Sequence, residues 1–263
     1  MNDALYIAAT GMQTQQSAVD TIANNMANAN TPGYKSGRVN FQELMYRDPA
    51  SARPGLATQP GAADVGLSQG SGVGVAALVK SFAPGAVSSS ANPMDLAIKG
   101  DGFVEVQTAD GGTAYWRGGT LQVTADGWLA TAQGQVLKPQ IRVDNTAGTS
   151  VTVASDGRVT SHRAGAPDVQ IGQLSLKVFA NEPGLRPLGD SLYQPTQASG
   201  DALAVRATDD GAATFVQGAA EQSNVVLVDE MVNLMMAQRA YEMNVKVLQT
   251  ADELLGMSNN LRK

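Results

Sequence analysis

The sequence of 263 residues holds no cysteine. Disulfides, iron–sulfur clusters and thiol nucleophiles are therefore excluded. A single histidine, His162, leaves no room for a protein zinc site built on His or Cys. Charge is scarce, at 16% of residues against roughly 25% in ordinary soluble domains. The net charge of −6 argues against a dedicated nucleic-acid binder, which would present a basic face. No apolar run approaches the ~18 residues that a membrane-spanning helix requires. The first 34 residues contain no Lys or Arg, and Gly11, Gln13, Gln15 and Gln16 interrupt the apolar positions. A cleavable secretory leader needs a basic start and then an apolar run, so none is expected.

What is present is unevenly spread. Of 28 glycines, only Gly11, Gly33 and Gly256 lie within 1–36 or 221–263. Of ten methionines, Met94 alone lies outside 1–45 and 231–257, and the last proline is Pro195. Two glycine-poor, methionine-rich ends thus flank a glycine-rich middle, the pattern of terminal helices around a β-rich body.

At the N-terminal end Leu5, Ala8, Met12, Gln15, Val19, Ile22 and Met26 step by 3 and 4, the repeat of a coiled-coil face. The stop follows at Thr31-Pro32-Gly33-Tyr34, where Pro32 and Gly33 occupy the central positions of a type II turn. The C-terminal end repeats the device with Leu227, Met231, Leu234, Gln238, Tyr241, Val245, Leu248, Asp252 and Leu255. Asp229 and Glu230 near its start, with Arg262 and Lys263 at its end, match the helix dipole. Gln15 and Gln238 place one glutamine in each seam, a device that fixes register at some cost in stability. Asn24, Asn25, Asn28 and Asn30 crowd the last turns of the first helix. Asparagine is a poor helix former, so four of them point to amides bridging neighbouring backbones at a packed interface.

Between the ends, Arg47 to Gly74 holds three prolines and six glycines and reads as an extended segment. Val73 to Phe82 reads as one arm of a long hairpin. From about 93 to 200 the signal is β, with Lys99-Gly100-Asp101-Gly102, Asp110-Gly111, Asp126-Gly127 and Asp156-Gly157 as hairpin turns. The runs 122–127 and 151–157 look like variants of one unit. The expected fold is α+β: discontinuous N- and C-terminal coiled-coil helices flank an extended segment and an antiparallel β-rich domain, a small barrel or sandwich. Its parts are an N-terminal helix over 1–36, a linker with a hairpin over 37–92, the β-rich domain over 93–205, a return linker over 206–223 and a C-terminal helix over 224–263.

The chemistry-bearing patterns have plainer explanations. Gly70-Ser71-Gly72-Val73-Gly74 leads into a strand-like run and lacks the Lys-Ser/Thr of a phosphate loop. The Asp-Gly aspartates occupy turn positions for backbone reasons. His162 sits in a polar setting as a solvated side chain. No catalytic, cofactor-binding or metal-binding residue is assigned.

Ile22-Ala23-Asn24-Asn25-Met26-Ala27-Asn28-Ala29-Asn30-Thr31-Pro32-Gly33-Tyr34-Lys35 resembles the N-terminal motif of the bacterial flagellar basal-body rod and hook family. Glu221-Gln222-Ser223-Asn224-Val225 and Gln238-Arg239-Ala240-Tyr241-Glu242-Met243-Asn244 are similar to its C-terminal motif. Asn92-Pro93-Met94-Asp95-Leu96-Ala97-Ile98-Lys99-Gly100-Asp101-Gly102-Phe103 is similar to the opening of its β domain. Size and the insert before Ser68 look most like the family's distal rod members, with proximal rod or hook-type subunits as the alternative. Leu121 departs from the family pattern, where an aromatic is usual after Arg117-Gly118-Gly119-Thr120. So does Val226, where a polar residue is common.

The resemblance implies a structural, non-enzymatic subunit without cofactors. Such a subunit leaves the cell through the flagellar type III export apparatus and polymerises helically into the hollow drive shaft in the periplasmic part of the basal body. Implied partners are further copies of itself, proximal rod proteins, hook subunits and surrounding ring proteins, with no nucleic acid and no membrane insertion. The assembly residues expected are the apolar and glutamine positions of the two seams together with Asn24, Asn25, Asn28, Thr31, Pro32, Gly33, Tyr34, Asn224, Arg239 and Asn244. A monomeric secreted β-domain binding protein or hydrolase, its end helices packed on its own body, is the alternative from another class.

Overall fold

The computed structural model describes residues 2–44, 70–108, 110–144, 149–163, 167–207 and 213–260. The reading of 47–69 as extended, and of Arg262 and Lys263 as a basic helix end, lies outside the described residues. The chain is α+β, with helices α1 (Asn2–Ala27) and α2 (Leu227–Asn260) at its ends and mostly antiparallel strands between them. It divides into two compact units: residues 1–27, 37–79 and 226–263 in one, and 28–36 with 80–225 in the other.

In the helical unit α1 and α2 pack together, and the strands Gly37–Glu43 and Val73–Lys80 pair as the expected hairpin. On α1, Ala8, Gly11, Thr14 and Asn25 are buried, while Leu5, Met12, Gln15, Val19, Ile22 and Met26 are half-buried. On α2 the inner line is Glu230, Leu234, Ala237, Asn244, Leu248, Ala251 and Leu255, with Ala237 buried. Leu227, Met231, Gln238, Tyr241 and Asp252, all expected in the α2 seam, are exposed. The reason is close approach: a Cβ on Gly11 would lie 2.9 Å from Asn244 Nδ2. Such a crossing favours Gly, Ala, Thr and Asn at the contact and turns bulkier side chains away.

The β unit is built on an eleven-stranded sheet. Its path runs Arg186–Gly189, Leu192–Gln194, Thr113–Trp116, Phe103–Gln107, Val136–Leu137, Leu129–Thr131, Gly118–Val123, Asp95–Lys99 and Thr214–Gln217. Leu176–Val178 adds to Phe103–Gln107 and carries Leu203–Val205. A second sheet orders Thr149–Val153, Arg158–Arg163 and Val169–Gln173, and Ala219–Glu221 pairs with Val87–Ser89. Thr214–Gln217 and Ala219–Glu221 are therefore strands and not the expected return linker. Their alternation of buried Phe215, Ala219 and Glu221 with less buried neighbours makes them part of the packed body.

The turns repeat one geometry. Gly127 N donates to Thr124 O and Gly157 N to Ala154 O, each at 2.9 Å. Gly127 and Gly157 have φ of +80° and +82°. Each closes a three-residue hairpin loop, a type I turn followed by a left-handed residue. The two expected variants of one unit match down to their outer contacts: Val143 N donates to Gly127 O and Leu174 N to Gly157 O. Beneath them the core gathers Leu96, Ile98, Val104, Val106, Trp116, Leu129, Leu137, Val159 and Phe215. A second cluster is aromatic: Phe82, Phe103, Tyr115, Phe179 and Tyr193 meet edge to face, with centroids from 4.8 to 5.7 Å apart.

Candidate assembly surfaces

The N-terminal motif leaves its helix as its residues require. Gly33 takes φ of +71° and Tyr34 N donates to Thr31 O at 3.2 Å, closing the type II turn that Pro32-Gly33 prescribes. Gly33 N then donates to Glu221 O at 2.7 Å, so the motif is tied to the C-terminal segment immediately after the turn.

Next comes Lys35, the first basic residue of the chain, and it is buried. Its Nζ donates to Glu221 Oε1 at 2.7 Å and to Ala83 O at 3.0 Å. Glu221 Oε1 also accepts from Gly85 N at 2.8 Å. Arg117, likewise buried, donates to Gly102 O at 2.8 Å and Gly100 O at 2.7 Å and lies over the Phe103 ring. Its Nε sits 3.5 Å from Glu221 Oε2, close enough for Coulomb attraction but too long for a good hydrogen bond. Burial pushes the Lys35 ammonium down from its ordinary value, and the Glu221 bond opposes that. Burial likewise pushes Glu182 up, with Asp101 adding to the rise and Arg117 and Lys35 pulling back. Three segments far apart in sequence are thereby clamped at one point of the β unit.

Each unit has an asparagine whose amide bonds to backbone. Within the helical unit Asn25 both donates to Gly37 O and accepts from Gly37 N, at 2.8 Å each, and donates to Glu230 of α2 at 2.9 Å. Within the β unit Asn224 accepts from Ser36 N at 2.7 Å and donates to Ser81 O and Ala83 O. Of the four crowded asparagines Asn25 makes an amide bridge to backbone of the expected kind, and Asn224 lies outside that run. Asn28 and Asn30 lie past the end of α1, in the turn.

The outer side of α2 carries an apolar stripe, uncovered among the described residues and interspersed with exposed Arg239, Glu242, Lys246 and Glu253. Val228, Met231, Val232, Met235, Met236, Met243, Val247, Leu254 and Met257 are 44 to 69% exposed. At 100° per residue this stripe lies opposite the line that packs on α1. In the β unit a groove of about 490 Å³ runs between the Thr31–Tyr34 turn and the Trp116, Gly119 and Ser191 edge. Lys80 lies beside it, its Nζ 4.2 Å over the Tyr34 ring.

The residues expected in assembly fall into classes. Ala8 and Asn25 are buried; Leu5, Met12, Gln15, Val19, Ile22, Met26, Asn28, Gly33, Tyr34, Asn224, Leu234, Asn244, Val245, Leu248 and Leu255 are half-buried. Asn24, Thr31, Pro32, Leu227, Met231, Gln238, Arg239 and Tyr241 are exposed. Sequence reasoning did not single out the Lys35–Glu221–Arg117 cluster. The only hint was Lys35 itself, a lone cation ending a long stretch without one. His162 is exposed and pairs through Nδ1 with Asp168. Gly72 enters a strand, and a Cβ there would run into Thr10 of α1, which accounts for that glycine without a phosphate.

Comparison with known proteins gives concordant matches. Residues 5–35 match a family described as flagella basal body rod protein. Residues 97–161 match the flagellar hook protein FlgE/F/G D1 domain, and 216–261 the flagellar basal body rod FlgEFG protein C-terminal family. The flagellar basal-body rod protein FlgG of Agrobacterium fabrum is 42% identical, covering 98% of this chain and 99% of its own. That of Borreliella burgdorferi is 37% identical over the whole of both chains. The flagellar basal-body rod protein FlgF of Caulobacter vibrioides is 33% identical over 97% of this chain and 95% of its own.

Proposed function

Since the chain belongs to the flagellar basal-body rod protein FlgG family and is a structural subunit of the distal rod, we propose that its paired terminal helices form the inner wall of that rod. Copies join head to tail in an interface that does not close into a ring, which generates a helical filament. The filament is a hollow shaft that carries torque to the hook, with the β unit outside and stiffening it. Proximal rod proteins adjoin one end, hook subunits the other, and ring proteins surround it in the periplasm. The subunit reaches that place through the flagellar type III export channel.

The two-faced character of α2 carries this reading. One side is satisfied by α1, while the other presents methionine, valine and leucine to water. Apolar side chains on the second side favour burying it as well, against a partner that leaves the interspersed charges in water. Leu227, Met231 and Tyr241 then meet neighbouring copies. Met12, Leu234 and Leu248 hold the pair together.

The test is Met231→Glu/Met235→Glu in the full chain. Both side chains are exposed, so the fold tolerates the change. Rods or tubes that form with the parent as concentration rises should be absent by electron microscopy, with the β unit's melting unchanged. Equal polymerisation of the variant would sink the reading.

A further inference from the structure

Five of the chain's ten methionines, Met231, Met235, Met236, Met243 and Met257, are more than half exposed on the outer stripe of α2. Met12, Met26 and Met94 are only partly exposed. Methionine is among the residues most often buried, so this concentration in water is unusual. The chain has no cysteine, which leaves thioethers as its most readily oxidised groups toward two-electron oxidants. The exposed stripe therefore holds the most accessible of the described thioethers. It is also the face that the assembly reading buries.

We propose that this stripe is an oxidation site for peroxides, and that its conversion to methionine sulfoxide keeps free subunits out of the polymer. The proposal rests on the assembly reading. In the step, a sulfur lone pair attacks one oxygen of hydrogen peroxide and the O–O bond breaks. An S–O bond forms, and the departing hydroxide takes the remaining proton to leave as water. Sulfur loses two electrons and peroxide gains them. The product is a strongly polar, hydrogen-bond-accepting group at the centre of an apolar contact, where burial without a donor is costly. Met231 and Met235 are one turn apart, and Met236 and Met243 two turns apart, so several sulfoxides would fall within one contact. Subunits already in the shaft are shielded by the contact itself.

The experiment treats full-length monomer with hydrogen peroxide, maps sulfoxides by peptide mass spectrometry, and follows polymerisation by sedimentation. Met231, Met235, Met236 and Met243 should oxidise faster than Met12, Met26 and Met94. The concentration needed for assembly should rise by about tenfold or more, as expected for polar groups placed in an apolar contact. Methionine sulfoxide reductases should restore it. A variant with Met231→Leu, Met235→Leu, Met236→Leu and Met243→Leu keeps an apolar stripe and should assemble with or without peroxide. If that variant is as peroxide-sensitive as the parent, or if the four sulfoxides form and assembly is unchanged, the proposal is overturned. Failure of the assembly reading has a separate signature: in preformed polymer the four thioethers would oxidise at the monomer's rate. That result removes the reading and this proposal together.

Discussion

Lys35 and Glu221 form a buried ion pair at 2.7 Å although 186 residues separate them in the chain. The pair fastens the segment leaving the N-terminal motif to the strand that precedes α2. Glu221 is held further by Gly85 N, and Ala83 O takes a second Lys35 proton. Removing one partner leaves a charge in a place that water does not reach. Lys35→Met is expected to lower the stability of the β unit by about 3 kcal/mol, and Glu221→Gln by a similar amount. Lys35→Met/Glu221→Leu should recover at least half of that loss, because neither charge is then stranded. Denaturant melts of the three variants measure it; a double variant as weak as the sum of the singles would refute the coupling.

The Tyr193 phenol is buried in the β unit. Burial in the aromatic cluster pushes its pKa up to about 12, with Arg117 pulling it back and Glu221 and Tyr34 adding to the rise. A group with a raised folded value contributes stability that is fully present below its unfolded value, near 10, and is lost as pH rises through the folded one. The interval from 10 to about 12 amounts to roughly 3 kcal/mol. Tyr193→Phe should therefore gain on the parent steadily between pH 10 and 12. Lys35, with a lowered folded value, contributes stability that rises with pH toward 10.5 in both proteins and so cancels in the comparison. Parallel curves for the two proteins above pH 10 would contradict this assignment.

Two turn glycines with the same backbone should respond differently to alanine. Gly111 and Gly157 have φ of +78° and +82°. A Cβ on Gly111 meets nothing within 4 Å, whereas one on Gly157 would lie 2.5 Å from Leu174 O. Gly111→Ala should cost about 1 kcal/mol, the penalty of a left-handed residue. Gly157→Ala should cost about 3 kcal/mol or more, since the hairpin must also move off the Leu174 backbone. Thermal melts of the pair separate the conformational cost from the steric one.

Asp190 and Ser191 form the two-residue loop between Arg186–Gly189 and Leu192–Gln194, with φ of +50° and +59°. Both central positions of such a turn demand the left-handed region, where glycine or asparagine is preferred. Ser191→Gly should raise stability by about 1 kcal/mol. A calorimetric melting point at or below the parent's would show that the Ser191 side chain holds a contact worth more than the turn strain.

Much of the architecture was legible because it rests on local sterics. Pro32-Gly33 forces the stop after α1 wherever the segment sits, and Asp-Gly closes a hairpin by its own φ preferences. Thr124–Gly127 and Ala154–Gly157 could be paired as one unit from their letters alone. The α2 seam is legible only in part, with Leu234, Leu248 and Leu255 on the inner line and Leu227, Met231, Gln238, Tyr241 and Asp252 exposed, for an equally physical reason. Large apolar residues recur at helical spacing on two sides of that helix, and periodicity does not say which side meets α1. Gly11 marks the side that does: the Asn244 side chain lies where a Cβ on Gly11 would be, while Met231 and Tyr241 are exposed.

The sequence by itself determined the class of chemistry and the sites of the helix stops and turns. Composition excludes thiol chemistry, and backbone preferences act on neighbours only. The tertiary structure alone decided which face of α2 stays open, and that Lys35, Arg117 and Glu221 share one buried point. Burial and Coulomb attraction depend on distance through space, and a linear pattern carries that distance only for residues within a few turns of each other.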